Sequence, residues 1–392
     1  MDNIVHLPKE KWEGTLIPIK YSTNQYFDVS IGHEPRGYRI AIEKKDFLHT
    51  VTHSVEEDDQ PDRLYADHCE HPFAWGIIDE EKLVAAIETD QENWSNRLRI
   101  TELWVADDYQ KKGVGRALIA IAKEQARHER RRTVILETQS SNVNAIGFYR
   151  HQGFDLIGLD TCSYSNDDVE RKEVRLEFGW FPADKEKLSR DEIDIRQETE
   201  KDHHAVELMT QRAFWNKYKP GCDEHYLVHL LRQDSQYLPE LSRIAIKDGQ
   251  VIGCIMYSKA EVVEGDRSQD VLTFGPLCVD PKWQGMGVGE ILLKETMALA
   301  SEAGYKGIII FGDPDYYPRL GFEPCDRFEV TTAGGENFDA FMGTELYENS
   351  LKDVKGKFHA SPVFENIPEE KVEEFSRNFP PLQKRQFPGQ WE

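Results

Sequence analysis

The sequence predicts two α/β domains in tandem, and three observations carry that reading. The chain has 392 residues, more than one core usually fills at about 100–200 residues per domain. One segment recurs a domain-length apart. YQKKGVGRALI at 109–119 returns as WQGMGVGEILL at 283–293, each time after an apolar strand-like run ending in Val (Val105, Val279) and ahead of a helical pattern. Between the copies, FPADKEKLSRDE (181–192) is polar, charged and Pro-containing, the composition of a linker. The expected parts are a first domain over 1–182, a linker over 183–192, a second domain over 193–350 and a C-terminal extension over 351–392.

In the first half, FDVSIG and YRIAIEK read as strands, the charged stretch SVEEDDQPDR (54–63) as a loop, and FAWGIID with EKLVAAIETD as a strand pair. RITELWV (99–105) is strand-like and leads into the glycine turn; VGRALIAIAKEQARHE (114–129) repeats its apolar residues at helical spacing. Strand TVILETQ (133–139), a short helix NVNAIGFYRHQ (142–152) stopped by Gly153, and two strands around 154–165 and 172–180 complete it. The second half opens with strand IDIRQ and a helix, followed by a strand pair turning at Asp248-Gly249. TFGPLCV (273–279), the second glycine turn, helix VGEILLKETMALASEAG (288–304), strand KGIIIFG (306–312) and DPDYYPRLGF (313–322) repeat the first half's order. Near the end, PEEKVEEFSRNF reads as a capping helix before a Pro-rich tail.

Composition narrows the function. The 39% hydrophobic and 11% aromatic content supports a packed chain. The opening MDNIVHLPKEKWEG lacks a signal-peptide core, and no uncharged apolar run nears the roughly 18 residues that span a bilayer. A cytoplasmic protein without a membrane partner is expected. A net charge of −23 repels polyanions, so nucleic acid is not an expected partner. That charge suits a cationic ligand such as an amine, and equally suits plain solubility. Six cysteines occur without a CxxC pair or other chelating spacing, so reduced thiols and no metal site are expected.

A loop that leaves a strand, turns tightly and opens a helix presents unpaired backbone N–H groups at the positive end of a helix dipole. Glycines there let phosphate oxygens approach the backbone. Neither copy has the Gly-Lys-Ser/Thr of a Walker loop, and the residues after Gly113 and Gly115, or after Gly285 and Gly287, fit a dinucleotide fingerprint poorly. Both copies share Gln-x-x-Gly-x-Gly: Gln110, Gly113, Gly115 and Gln284, Gly287, Gly289. On these residues, with a strand before, a helix after and a Gly-Phe ending downstream, the chain resembles the GNAT superfamily of acyl-CoA-dependent N-acetyltransferases. The first half, with LRITELWV and LETQSSNVNAIGFY, is similar to its streptothricin-acetyltransferase-like branch. The second, with FGPLCVDPKWQGMGVG, FGDPDYYPRLGF and GKFHASPVF, is similar to its YhbS-like branch.

The resemblance implies two domains, each a mixed, mainly antiparallel sheet flanked by helices, with coenzyme A lying where two neighbouring strands splay. It assigns the pyrophosphate to the loop backbone: Gln110, Lys111, Lys112, Gly113, Val114, Gly115 and Arg116 in the first copy; Gln284, Gly285, Met286, Gly287, Val288 and Gly289 in the second. It places a carbonyl-polarising backbone N–H at Trp104 or Val105, and at Cys278 or Val279. Asn142 and Asn144 match the amide that holds the pantetheine arm. Glu102 stands where many members carry a general base, with a solvated strand glutamate as the plainer alternative. Tyr149 stands where the family protonates the departing thiolate, with a core tyrosine as the alternative. Tyr317 holds the same place in the second half.

The second half departs from the pattern. Alignment on the glutamines puts Pro276 where Glu102 stands, and Asp313 and Asp315 replace the asparagines. Basic residues flank the first loop, whereas the second has Met286 and Glu290. Catalysis is therefore expected mainly in the first domain, with Trp94, Tyr164, Asn166 and Asp167 as candidates to face the acceptor. The implied activity is transfer of acetyl from acetyl-CoA to a primary amine of a small or antibiotic-like molecule. A protein lysine or N-terminus as acceptor, and a non-catalytic acyl-CoA-binding or sensing tandem, stand as alternatives. A monomer with pseudo-dimeric domains and a homodimer are both compatible with the duplication.

Overall fold

The computed structural model describes residues 4–54, 62–183, 185–365 and 367–390. Most of the charged loop expected at 54–63, one position of the expected linker and parts of the expected extension lie outside the described residues. The chain divides into two compact units, residues 1–183 and 184–392.

The first unit runs β1 (Ile4–His6), α1 (Lys9–Trp12), β2 (Lys20–Glu34), β3 (Gly37–Ser54), β4 (Phe73–Asp79), β5 (Lys82–Glu92), β6 (Arg97–Val105), α2 (Val114–His128), β7 (Thr133–Gln139), α3 (Val143–His151), β8 (Asp155–Asp160), α4 (Asp168–Arg171) and β9 (Arg175–Trp180). Its main sheet has the order β1-β4-β5-β6-β7-β9-β8. Only the β6–β7 pair is parallel.

The second unit runs β10 (Asp194–Arg196), α5 (His203–Phe214), α6 (Glu224–Leu231), β11 (Arg243–Lys247), β12 (Gln250–Glu264), β13 (Arg267–Val279), α7 (Val288–Glu302), β14 (Gly307–Phe311), β15 (Glu323–Pro324), β16 (Val330–Thr331), β17 (Phe341–Glu345), β18 (Gly356–His359) and α8 (Glu369–Ser376). Its sheet order, β10-β11-β12-β13-β14-β17-β15, repeats the first strand for strand, and β18 is added alongside β12. Each sheet is mixed, mainly antiparallel and flanked by helices, as the resemblance implied.

Local chemistry explains the elements. In α2, Leu118, Ile121, Ala122, Gln125 and Ala126 are buried, a stripe at helical spacing that seats the helix on its sheet. Asp248 and Gly249 both take positive φ (50° and 74°), the two-residue hairpin geometry whose twist matches the flanking strands. The units differ between the first and second strands of the path. The second fills that stretch with α5 and α6, whereas the first sends out a two-stranded ribbon of β2 and β3. The ribbon base is tied back to the end of β7: the Tyr21 hydroxyl donates to Gln139 Oε1 at 2.5 Å and lies 2.9 Å from Ser141 Oγ.

Two irregularities position the site, and both occur in both units. The register slips between Glu88 and Thr89 in the β5–β6 pair, and between Ile255 and Tyr257 in the β12–β13 pair. Immediately beyond, the parallel neighbour peels away. β7 pairs with β6 only along Arg97–Arg99, and β14 with β13 only at Leu272. A bulge bends its strand and raises the local twist, so the carboxyl ends of these strands open into a gap below the glycine loop.

Candidate functional site

Each glycine loop is built by two left-handed residues. Lys111 and Gly113 have φ of 57° and 84°, and Gly285 and Gly287 have 82° and 86°. The glutamine shared by both copies closes the turn: Gln110 Nε2 donates to Val105 O at 3.1 Å and Gln284 Nε2 to Val279 O at 2.9 Å. Both glutamine side chains therefore bind the end of their own strand. Among the described residues, the backbone N–H groups of Lys111 to Arg116 have no protein acceptor; the helix ladder takes over at Ala117, whose N–H reaches Gly113 O. Ile291 N–H to Gly287 O marks the same point in the second copy. Successive free N–H groups at a helix start fit a pyrophosphate.

The backbone donors can also be placed. Ala106 N–H donates to Val84 O and Asp280 N–H to Ile252 O, both at 2.9 Å. Adjacent strand residues turn their amides to opposite sides. Val105 and Val279 therefore aim their N–H groups away from β5 and β12, towards the gap, while those of Trp104 and Cys278 face the antiparallel neighbour. The Cys278 thiol is buried, 3.5 Å from Cys254 Sγ and from Thr210 Oγ1.

Glu102 lies on β6 within the bulge, directly opposite Glu88. Desolvation and the nearby carboxyls of Asp62, Glu88 and Glu137 push the Glu102 carboxyl up to about 9. Tyr149 sits on α3 with Phe154 and Phe178 around its ring. Desolvation and the neighbouring Glu102 push its phenol up to about 12. Asn142 caps α3, its Oδ1 accepting Ala145 N–H at 3.2 Å, which leaves its amide NH₂ available; Asn144 is exposed. Trp94 is exposed and sits on the turn at the opposite end of β6, with Arg97 against its ring. Tyr164 stands near Glu137, Arg175 and Tyr21; Asn166 and Asp167 are exposed.

Tyr317 keeps the geometry of Tyr149 without the helix. Phe154 N–H reaches Tyr149 O and Phe322 N–H reaches Tyr317 O, at 3.1 and 3.4 Å. In the second unit only a 3-10 turn, Pro318–Leu320, stands where α3 stands in the first, because Pro318 supplies no N–H for a longer helix. Desolvation raises the Tyr317 phenol above its ordinary range.

The expectation of a poorly charged second loop needs correction. Glu290 Oε1 accepts from Lys294 Nζ at 2.7 Å, and Lys187 and Arg319 also act on its carboxylate. Arg319 lies 4.5 Å over the Tyr316 ring. Lys294 one turn along the helix, with Lys187 and Arg319 remote in sequence, thus offsets the Glu290 carboxylate.

Sequence reasoning also missed Glu88, Asp168 and Phe148. The fully buried Asp168 shapes the turn presenting Tyr164, taking Tyr164 N–H at 3.0 Å and Ser165 N–H at 2.7 Å. Nothing in its spacing signals this. Glu88 could have been noticed as the carboxylate inside the apolar run LVAAIETD.

A family model described as Acetyltransferase (GNAT) family matches residues 41–154 and 207–322. Each match contains one glycine loop, the helix after it and the following tyrosine. The uncharacterized N-acetyltransferase YhbS of Escherichia coli (strain K12) is 32% identical over 163 residues, 41% of this chain and 92% of that protein. Streptothricin acetyltransferase A of Bacillus subtilis (strain 168) is 36% identical over 110 residues, 28% of this chain and 62% of that protein. Among solved structures, the Escherichia coli YhbS N-acetyltransferase in complex with CoA aligns at 28% identity with a TM-score of 0.40, covering 45% of this chain and 94% of that one. No helix among the described residues is long and apolar enough to cross a membrane.

Proposed function

The chain belongs to the GNAT acetyltransferase family, and from that premise we propose that its first domain transfers acetyl from acetyl-CoA to a primary amine of a small, cationic, antibiotic-like molecule. The observation that carries this reading is Glu102 in the bulge, with a proton affinity close to that of an amine. An ordinary carboxylate near 4.3 is far too weak to take a proton from an ammonium near 10.4. At about 9, Glu102 is a far stronger base once ionised, and its ionised share grows as pH rises towards that value.

We assign the remaining roles on the same reading. Acetyl-CoA, when bound, supplies the acyl group as a thioester. The free N–H groups of Lys111 to Arg116 hold its pyrophosphate, with Lys111, Lys112 and Arg116 adding positive charge. Val105 N–H polarises the acyl carbonyl, and Asn142 and Asn144 hold the pantetheine arm. Tyr149, neutral at any working pH, donates a proton to the departing sulfur. The acidic surroundings of Glu102 favour a cationic acceptor.

The second domain repeats the loop, with Gln284 to Gly289 and Val279 N–H placed alike, and is proposed as a second acyl-CoA site. Pro276 in place of Glu102 argues against the same amine chemistry there. Thiol release from acetyl-CoA, followed against a panel of primary amines including streptothricin, tests the reading. Turnover is expected in the full chain and should be lost in Glu102→Gln and Tyr149→Phe. Undiminished turnover in both variants would overturn the assignment.

A further inference from the structure

Glu88 is fully buried on β5, and its carboxylate is fixed on both sides. Oε2 accepts the Tyr65 backbone N–H at 2.5 Å and Oε1 accepts the Thr101 hydroxyl at 2.8 Å. Its direct partner across the strand pair is Glu102. Side chains so opposed start from Cβ atoms about 4.5–5.5 Å apart, and like charges in that relation repel. Neither carboxyl has an ion-pair partner among the described residues. Two adjacent desolvated carboxyls oppose folding whenever both are ionised.

The second domain serves as an internal control. Its sheet makes the same register slip at the same place, with Met256 and Pro276 standing where Glu88 and Glu102 stand. The bulge and the strand splay therefore form without either carboxylate. The architecture does not require the pair, yet the first domain keeps both members together.

We propose that Glu88 is a positioning residue for proton transfer in the first domain: Glu102 meets the acceptor, and Glu88, held across the strand pair by its two hydrogen bonds, adds to the effect of burial and Asp62 on how readily Glu102 takes its proton. The proposal rests on Glu102 being the base. An ammonium acceptor loses two protons on becoming an amide. One goes to Glu102 and then to solvent. The acceptor nitrogen bonds to the acyl carbon as the carbon–sulfur bond breaks; the sulfur takes the Tyr149 proton, and the second acceptor proton replaces it. The other titratable groups facing the pair are Asp62, Tyr65, His68 and Cys69 ahead of β4, Asp90 on β5, Glu137 on β7 and Tyr149 on α3. Burial and Asp90 raise the Glu88 carboxyl, while its two hydrogen bonds and His68 oppose the rise.

The test is the pH profile of kcat/KM in the full chain, with streptothricin or the most active panel amine as probe, from about pH 6 to 10. Glu88→Gln should move the acid limb down by about one pH unit and lower the alkaline plateau severalfold, with KM for acetyl-CoA changed less than about twofold. Glu88→Met, which installs the second domain's residue, should shift the limb in the same direction and covers the case in which the Gln variant does not fold. A limb within about 0.2 units of the parent in a folded variant, while Glu102→Gln abolishes it, would overturn the role of Glu88 and leave the base standing. A limb that survives Glu102→Gln would instead overturn the base, and this inference with it. If no amine turns over, carboxyl ¹³C resonances of the glutamate-labelled full chain give the same comparison: Glu102 should titrate about one unit lower in Glu88→Gln, and an unchanged titration overturns the proposal.

Discussion

A methyl group on Gly115 would stand 3.2 Å from Cζ of Phe148, the residue immediately before Tyr149. The second domain repeats the relation: a methyl group on Gly289 would stand 3.0 Å from the hydroxyl of Tyr316, beside Tyr317. The last glycine of the loop thus admits an aromatic ring that ties the glycine turn to the segment carrying the tyrosine. Gly115→Val should overpack this contact and destabilise the first domain by about 1–3 kcal/mol. Because the displaced ring adjoins Tyr149, kcat should fall as KM for acetyl-CoA rises. Phe148→Leu added to Gly115→Val should recover much of the stability, so a double-mutant cycle in chemical denaturation with no coupling would dismiss the contact as the cause.

The two loops reach one backbone shape with different residues, since Lys111 holds the left-handed position that Gly285 holds in the second copy. A non-glycine residue there costs about 1–2 kcal/mol, whereas glycine loosens the unfolded chain by about 0.4–1 kcal/mol. These terms oppose each other, so Lys111→Gly should change first-domain stability by less than about 1 kcal/mol. Gly285→Lys should destabilise the second domain by about 1 kcal/mol. Denaturation midpoints check both. The salt dependence of KM for acetyl-CoA should weaken in Lys111→Gly, because one cation near the phosphates is removed.

What was legible in the sequence was local or repeated. The run from β6 through α3 and its counterpart from β13 through β15 share a glycine turn, a helical apolar stripe and a Gly-Phe ending, each readable within a short window. Of the cations around Glu290, Lys294 was legible as an i,i+4 partner, but Lys187 lies in the linker region and Arg319 beyond β14; only the fold brings these two to the helix start. The Glu88–Glu102 pair depends on register across a bulge, and one slipped residue changes every partner. Helix α6, EHYLVHLL, is too short and too evenly apolar to declare a period. Strand β18 pairs with a strand far earlier in the chain, which a short window does not contain.

Glu102, the proposed base, should oppose stability when ionised. Its folded-state proton affinity, about 9, lies above the unfolded carboxyl's, about 4.3. The protonated folded form is therefore favoured. Its stabilising contribution is complete below about pH 4 and is lost as pH rises through about 9. Glu102→Gln, which mimics the protonated carboxyl, should raise the unfolding temperature more at pH 8.5 than at pH 5, while turnover falls about 10²–10⁴-fold. Thermal melts at the two pH values read the first effect and thiol release the second. An equal gain at both would mean that Glu102 ionises freely in the folded protein.

The second loop offers a charge test independent of turnover. Lys294, Lys187 and Arg319 surround Glu290 at the start of α7, so the acid competes with an incoming phosphate for the same cations. Glu290→Gln should free them and tighten acetyl-CoA at the second site, while Arg319→Ala should weaken it. Each partly exposed charge contributes up to about 1 kcal/mol, or about a fivefold change in Kd. Calorimetry of acetyl-CoA with the full chain should resolve two sites, the first-domain site keeping its affinity in both variants. Opposite shifts confined to one site place the second anion at the α7 start, whereas no shift in either variant rules out binding there.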